Sequence, residues 1–205
     1  VENLIRIIDL NNIMPFVRLT SNNPDQIKRV LDFGAHGIIV PNVITKLDVE
    51  NIINASFYPP MGNRGAGLAR AQNYGNTFKE YIKKANKSLK IFVQIENINE
   101  IKNLDLIFSH KEITGYFIGP YDLSFSMNIP GKFNDKEYLK VISQINKIGK
   151  KYNLKRGIHV VEPELNNLKN HIKKGFDFIA YSLDTKILDT NCRNVNLAIK
   201  KLKKN

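Results

Sequence analysis

Two acidic residues follow short apolar runs that are typical of buried β-strands. Glu96 comes directly after the run 91–95, and Asp122 comes shortly after the run 116–118. In a barrel of alternating strands and helices, the carboxyl ends of the strands carry the active site. Carboxylate oxygens that meet at that edge suit a hard divalent cation and leave positions for water and substrate. The sequence therefore predicts a metal site at Glu96 and Asp122. The alternative is that the first caps the following helix and the second caps a turn.

Three further polar side chains lie in or at the ends of apolar runs. Arg18 lies within the run 16–19, where a charge is costly unless it meets an anion or a carboxylate, so it either contacts substrate or pairs with a neighbouring acid. Gln94 precedes Glu96 by two residues, so both side chains project to the same side of the strand. His159 faces the inside of the sheet if its two neighbours pack outward, either as an active-site residue or as a hydrogen-bonded core residue.

Two loops add candidate binding groups. The backbone N–H groups that follow Pro120 can hold a substrate carboxylate. The glycine-rich segment 64–67 is a weak phosphate motif, because it does not join a strand directly to a helix. We expect it to be a mobile loop over the mouth of the site.

Apolar runs alternate with helical patterns along the whole chain, which predicts a parallel sheet flanked by helices. We predict strands at 16–19, 37–41, 91–95, 115–118, 157–160 and 178–181, and helices at 1–10, 24–31, 46–54, 77–86, 98–108, 135–152 and 163–173, with a last helix at the C-terminus. The predicted fold is a single α/β domain over residues 1–205, a TIM-type (β/α) barrel. Eight strands close such a barrel, so its first one or two strand units are expected to be absent. An open doubly wound sheet is the alternative, but no Gly-x-Gly-x-x-Gly turn follows the first strand.

Composition limits the function classes. Apolar stretches in the 205 residues are too short to cross a membrane, and the single cysteine, Cys192, excludes an intrachain disulfide and suits a reducing cytoplasm. The formal net charge of +12 raises the question of nucleic-acid binding. However, the lysines lie on helix-like stretches without an aromatic platform, zinc spacing or helix-turn-helix pattern. We therefore predict a cytoplasmic protein with small-molecule partners and no nucleic-acid or membrane partner.

Several collinear motifs resemble the hydroxy-oxo-heptanedioate aldolase family, the pyruvate-using class II aldolases that include dehydro-deoxyglucarate and keto-deoxy-rhamnonate aldolases. They are Val17-Arg18-Leu19, Asn23-Pro24, Gly37-Ile38-Ile39-Val40-Pro41, Tyr58-Pro59-Pro60-Met61-Gly62-Asn63-Arg64-Gly65, Gln94-Ile95-Glu96 and Gly119-Pro120-Tyr121-Asp122-Leu123-Ser124. The resemblance implies a (β/α)-barrel enzyme that uses Mg²⁺, Mn²⁺ or Co²⁺. It would cleave or form 4-hydroxy-2-oxo acids, giving pyruvate and an aldehyde, and it would be a homo-oligomer of the hexamer type.

The resemblance also implies roles for individual residues. Glu96 and Asp122 match the metal ligands, and Arg18 matches the group that stabilises the enolate. Positions that bind substrate or line its pocket are matched by Gln94, Gly119, Tyr121, Ala66 and His159. Tyr121 replaces an Ala and His159 replaces an aliphatic residue of the best-known members. The resemblance therefore does not determine which aldehyde is used.

One family segment does not occur in this sequence. The Asp-x-Glu-His motif, whose His assists proton transfer, is absent from the 205 residues, and we interpret this as truncation at the N-terminus. Two alternatives remain. One is a lyase or synthase acting on acyl-thioesters, as in the related citrate and malyl lyase barrels, and the other is a non-catalytic fragment.

Overall fold

The computed structural model describes residues 1–202 as parallel strands that alternate with helices. The strands are β1 (Phe16–Arg18), β2 (Gly37–Val40), β3 (Lys90–Ile95), β4 (Gly115–Ile118), β5 (Lys155–Val160) and β6 (Phe178–Tyr181). The helices are α1 (Glu2–Leu10), α2 (Pro24–Asp32), α3 (Lys46–Ser56), α4 (Phe78–Ser88), α5 (Leu104–Phe108), α6 (Pro120–Ser126), α7 (Lys136–Lys151), α8 (Leu165–Lys173) and α9 (Asp184–Leu202). Two 3-10 segments lie at Arg70–Gly75 and Ile98–Asn103.

Neighbouring strands in the sheet are also neighbours in the sequence. The order is β1-β2-β3-β4-β5-β6, and each strand pairs in parallel with the next. Parallel pairing of successive strands requires a crossover between them, and the helices supply it. All six strands therefore end at the same edge of the sheet, where the predicted site residues lie.

Capping residues in the sequence determine where α2 and α3 begin. Asn23 caps α2, because its side-chain oxygen accepts hydrogen bonds from the backbone N–H groups of Asp25 and Gln26, and Pro24 occupies the first helical position. Thr45 and Asp48 form a reciprocal capping box at the start of α3. Each of these helices follows its strand after a short loop, so the caps help to fix the direction in which the chain leaves the sheet.

The sheet has an apolar core on each face. Its outer face packs against the helices through fully buried residues such as Ile38, Ile91 and Tyr116. On the inner face, alternate residues form a smaller cluster in which Phe92 and Phe117 pack with aromatic residues of the two outermost strands. The ring centroids of Phe16 on β1 and Phe178 on β6 lie 4.9 Å apart. The sheet is therefore curled, with its first and last strands in contact across the inside.

The structure confirms most of the predicted elements and corrects two. The helix predicted at 98–108 is a 3-10 segment, Ile98–Asn103, followed by the short helix α5, Leu104–Phe108. The strands agree within two residues at each end, and the parallel α/β arrangement is as predicted. A closed eight-stranded barrel is not confirmed, because residues 1–202 form a six-stranded curled half-barrel. The segment after Gly119 was predicted as a turn but forms the seven-residue helix α6, since Pro120 takes the first helical position.

Across residues 1–202, every helix is too short or too polar to cross a membrane.

Candidate active site

A cavity of about 390 Å³ opens where the strands end. Several predicted site residues line it, namely Arg18, Gln94, Gly119, Tyr121, Asp122 and His159. Glu96 lies beside this cavity and is joined to it by a hydrogen bond from the amide nitrogen of Gln94 to its Oε2 atom. The structure therefore brings together seven of the eight residues singled out from the sequence. The exception is Ala66.

Gly119 lies at the point where the acidic and amide side chains converge. A Cβ atom at this position would be 3.0 Å from Nε2 of Gln94, 3.5 Å from Cβ of Glu96 and 3.7 Å from Oδ2 of Asp122. A side chain on residue 119 would thus fill the space that these three groups share. The absence of a side chain keeps that space free for an ion or a substrate atom.

The two carboxylates differ in their surroundings. Glu96 is largely buried, and its Oε1 atom accepts a hydrogen bond from the backbone N–H of Asn42 at 3.3 Å. Burial raises the pKa of the Glu96 carboxyl; the Asn42 N–H and then Arg18 lower it, and the nearby negative charge of Asp122 raises it. Asp122 is exposed and, within the described chain, has neither a hydrogen bond nor an ion pair through its carboxylate. Two like charges with one of them uncompensated favour a bound cation.

These oxygen donors fit a divalent metal. Carboxylate oxygens are the preferred ligands of hard cations such as Mg²⁺ and Mn²⁺. Across residues 1–202 no group of three His, Cys, Asp or Glu side chains forms a metal-binding cluster. The protein itself would thus supply Glu96 and Asp122, and water or substrate would complete the coordination shell.

Arg18 is oriented by the same network. Its Nε atom donates a hydrogen bond of 3.1 Å to Oε1 of Gln94, and its Nη2 atom lies 3.7 Å from Oε2 of Glu96. Nearly half of the Arg18 side chain, 48%, remains exposed. The guanidinium group is therefore held at one edge by Gln94 while its other N–H groups remain available to a ligand in the cavity.

His159 lines the same cavity from β5, the strand that pairs with β4. Its Nε2 atom is 3.4 Å from the carbonyl oxygen of Ser182, which accepts a hydrogen bond when that nitrogen carries the proton. Ser182 also lines the cavity and was not singled out from the sequence. It adopts a left-handed backbone conformation with φ of 56°, directly after β6, which the sequence pattern does not indicate.

Two supporting residues were also missed in the sequence. Glu100 is fully buried and its Oε2 atom accepts the backbone N–H groups of Glu96 and Asn97. Burial raises its pKa to about 7, against the effect of these two hydrogen bonds. Ser126 on α6 accepts the N–H of Ile98 through its hydroxyl oxygen. The Asn-x-x-Glu spacing of residues 97 and 100 is a capping-box signal that could have identified Glu100.

The glycine-rich segment 64–67 lies elsewhere. Arg64 is buried and forms an ion pair of 2.7 Å with Asp32, the last residue of α2. The neighbours of Ala66 approach the same helix, because a Cβ on Gly67 would be 3.2 Å from Nζ of Lys28. Since α2 returns from the carboxyl edge of the sheet, this segment packs at the opposite, amino-terminal edge. Ala66 is exposed there and does not line the cavity, and the segment does not cover the mouth as expected.

Known protein sequences are similar to most of this chain. A sequence model of the HpcH/HpaI aldolase/citrate lyase family matches residues 1–190. The chain is 34% identical over 173 residues to a 2-keto-3-deoxy-L-rhamnonate aldolase of Klebsiella pneumoniae, covering 83% of this chain and 64% of the relative. It is 36% identical over 180 residues to a 4-hydroxy-2-oxo-heptane-1,7-dioate aldolase of Shigella sonnei, covering 85% of this chain and 66% of the relative. The chain thus spans slightly less than two thirds of the length of these two curated relatives.

The fold has a close counterpart among solved structures. An HpcH/HpaI aldolase/citrate lyase family protein from Burkholderia cenocepacia superposes with a TM-score of 0.87 at 23% identity. The superposition covers 97% of this chain and 79% of that protein. This likeness supports the arrangement of strands and helices described above.

Proposed function

The chain belongs to the HpcH/HpaI aldolase/citrate lyase family, and from this premise we propose that it is a metal-dependent carbon–carbon lyase. Its substrates would be 4-hydroxy-2-oxo acids, which it would cleave to or form from pyruvate and an aldehyde. One observation carries the proposal: Glu96, Asp122 and Arg18 converge beside Gly119 at the carboxyl edge of the sheet. The two relatives named above are themselves called aldolases.

Glu96 and Asp122 would hold one Mg²⁺, Mn²⁺ or Co²⁺ ion. The exposed, uncompensated carboxylate of Asp122 and the buried one of Glu96 supply its protein ligands. Such an ion, once bound, acts as a Lewis acid on the 2-oxo carbonyl group of the substrate. Gln94 would keep the Glu96 carboxylate in place through the hydrogen bond from its amide nitrogen.

Arg18 would stabilise the charge that develops during cleavage. A base takes the 4-hydroxyl proton, which breaks the C3–C4 bond, releases the aldehyde and leaves the enolate of pyruvate, which then takes up a proton at C3. By the resemblance the base would be the His of the Asp-x-Glu-His motif, and a water molecule is the alternative. The negative enolate oxygen would lie beside the guanidinium group that Gln94 holds at the cavity wall. A donor fixed in advance at the position of developing charge lowers the barrier without reorganising in the reaction.

The remaining cavity residues would bind the rest of the substrate. The backbone N–H groups of Tyr121 and Asp122 belong to the first turn of α6, where they have no acceptor within the helix. They are suitable donors for the substrate carboxylate. His159 and the exposed Tyr121 side chain line the part of the cavity left for the aldehyde portion, and we propose that they influence which aldehyde is accepted.

Metal binding gives the direct test. We expect the chain to bind one Mn²⁺, measured by titration with electron paramagnetic resonance. Exchange of the pyruvate methyl protons with D₂O in the presence of Mn²⁺ is expected when a segment with the Asp-x-Glu-His motif is joined to the N-terminus, because the His that assists proton transfer does not occur in these 205 residues. Glu96→Gln and Asp122→Asn should each weaken binding and abolish the exchange, because each removes a charged ligand. Asp105→Asn is the matched control, since Asp105 is an exposed carboxylate paired with Lys151 away from the cavity.

Three results would contradict the proposal. One is Mn²⁺ binding that is unaffected by both substitutions, which would place the ion elsewhere. Another is the absence of metal-dependent proton exchange in the protein that carries the added Asp-x-Glu-His segment, under conditions where Mn²⁺ is bound. Equal losses in Asp105→Asn would show that the effect is one of net charge and would likewise remove the assignment.

We also propose the remaining properties that the resemblance implies. The partners would be a small oxo acid and an aldehyde, and the protein would act as a homo-oligomer. A cytoplasmic location is supported by the single cysteine, Cys192, which is exposed and unpaired. Size-exclusion chromatography with light scattering gives the oligomeric state directly.

A further inference from the structure

Polar contacts away from the cavity hold the segments that carry the two carboxylates. The first contacts are made by Glu100 within the Glu96 segment: its Oε2 atom accepts the backbone N–H of Glu96 at 2.9 Å and that of Asn97 at 3.1 Å. In a capping box the glutamate returns to the N-cap residue alone. Here it also holds the residue before the cap, which is the one that carries the candidate ligand.

The burial of Glu100 is a second departure from an ordinary helix cap. The residue is 0% exposed, although capping glutamates lie at helix ends where water can reach them. Its Oε1 atom has no hydrogen-bond partner among the described residues. A buried carboxylate is destabilising unless its interactions compensate, so its two contacts to the Glu96 loop are the contacts that account for it.

The contact that joins the two segments is made by Ser126, at the end of α6. Its hydroxyl oxygen accepts the backbone N–H of Ile98 at 3.0 Å, and the hydroxyl donates to the carbonyl oxygen of Leu123 at 2.7 Å. Ile98 follows Glu96 by two residues, and Leu123 is the residue next to Asp122. Ser126 therefore joins the loop of one carboxylate to the helix of the other.

We propose that Glu100 and Ser126 are positioning residues that fix the separation of the Glu96 and Asp122 carboxylates for one divalent cation. This inference rests on the proposed function, because it assumes that the two carboxylates share a metal. Two negative groups repel each other when no cation is present, so their spacing has to be set by the structure around them. Contacts outside the ligands themselves commonly supply this support in metal sites.

The variants that test it are Glu100→Ala, Glu100→Gln and Ser126→Ala. Outer contacts of metal ligands typically change affinity by roughly tenfold or more, and we expect such a loss of Mn²⁺ affinity in Glu100→Ala and Ser126→Ala. Glu100→Gln should bind nearly as well as the unsubstituted chain, because its amide oxygen still accepts the two backbone N–H groups. Rescue by Gln separates positioning from an effect of negative charge.

Two matched controls remove similar hydrogen bonds at other places. Ser109→Ala deletes a hydroxyl that donates to the carbonyl of Leu106, the same local contact that Ser126 makes, but without a link to a second segment. Asp135→Ala deletes the cap of α7, whose side chain accepts the N–H of Glu137. Both controls should leave the Mn²⁺ dissociation constant unchanged, and melting temperatures should be recorded for every variant.

The outcomes separate the two proposals. Mn²⁺ binding by the unsubstituted chain with the same dissociation constant in Glu100→Ala and Ser126→Ala would overturn the positioning role and leave the metal site intact. No Mn²⁺ binding by the unsubstituted chain would overturn the proposed function, and the inference with it. If Glu100→Ala does not fold, the Mn²⁺ affinities of Ser126→Ala and Glu100→Gln decide whether the positioning role holds. A loss of Mn²⁺ affinity in Ser109→Ala equal to that in Ser126→Ala would also count against the inference.

Discussion

The Arg18 side chain is held by a hydrogen bond to Gln94 and still has N–H donors for a ligand. Its Nε atom is occupied by Gln94, and its exposed remainder faces the cavity beside Glu96. The sequence left two roles open, substrate contact or a structural ion pair. At 3.7 Å the contact with Glu96 is at the long end for an ion pair, and the guanidinium group keeps donors for a further anion.

Arg18→Ala should therefore reduce catalysis much more than metal binding. Loss of a charge contact to the transition state costs on the order of 3 kcal/mol, or roughly a hundredfold in rate. Metal-dependent exchange of the pyruvate methyl protons, in the protein with the added Asp-x-Glu-His segment, measures this effect, and a Mn²⁺ titration measures the ligands separately. Arg29→Ala, on the exposed face of α2, is the control. An exchange rate in Arg18→Ala equal to that of the control would remove Arg18 from the mechanism.

At the scale of the elements, phenylalanine rings lie over glycines of the next strand on the inside of the curled sheet. Phe16 lies beside Gly37, Phe92 beside Gly115, and Phe117 close to the third such glycine, Gly157. Each glycine leaves room for a ring that a side chain would displace. The rings fill the inside of the curled sheet below the cavity, so they support the site residues from beneath.

Gly37→Ala should destabilise the fold. The added Cβ atom would lie 2.2 Å from Cε1 of Phe16, and that ring is held against Phe178. Overpacking of this kind typically costs about 1–3 kcal/mol, which urea unfolding followed by circular dichroism would detect. Combining it with Phe16→Leu should recover part of the loss, since the smaller side chain leaves space for the methyl group.

Gly65→Ala is the matched control for that prediction. Its Cβ atom would meet only the flexible side chain of Lys28, at 3.3 Å, so a small change in stability is expected. Equal unfolding midpoints for Gly37→Ala and the unsubstituted chain would show that the inside of the sheet adapts more freely than the packing indicates.

For the molecule as a whole, α9 stands apart from the core. None of its residues from Asp184 to Leu202 is buried, and it carries exposed apolar side chains at seven-residue spacing, Leu188, Val195 and Leu202. By contrast, α1 at the other end of the chain buries Ile5, which is 1% exposed. The stability of the isolated chain therefore depends on α1 and little on α9.

Deleting the chain from Asp184 onward should leave the melting temperature of a monomeric sample nearly unchanged. Ile5→Ala is the positive control, because removal of a buried Ile side chain costs about 2–5 kcal/mol. A fall of more than about 5 °C on deletion of α9, which corresponds to more than 1 kcal/mol for a chain of this size, would show that the helix packs on the core in solution.

Part of this arrangement follows from the sequence alone. Short apolar runs separated by helical segments require parallel strands, and parallel strands in sequence order end at one edge. Arg18, Glu96, Asp122 and His159 were therefore predictable as neighbours from their positions at or near strand ends. Helix α6 was missed because Gly-Pro-Tyr-Asp is equally typical of a turn and of a helix start, and seven residues are too few for a helical period to show.

The tertiary structure decided what depends on contacts between distant residues. Ser126 meets Ile98 across 28 residues, and no local pattern encodes such a pairing. Arg64 lies 32 residues from Asp32, and their buried ion pair directs the glycine-rich segment, with Ala66, to the edge away from the cavity. Local sequence sets where strands and helices begin and end, because capping and periodicity act over a few residues. The course of a long loop and the spacing of two carboxylates depend on which distant side chains the packed fold brings together.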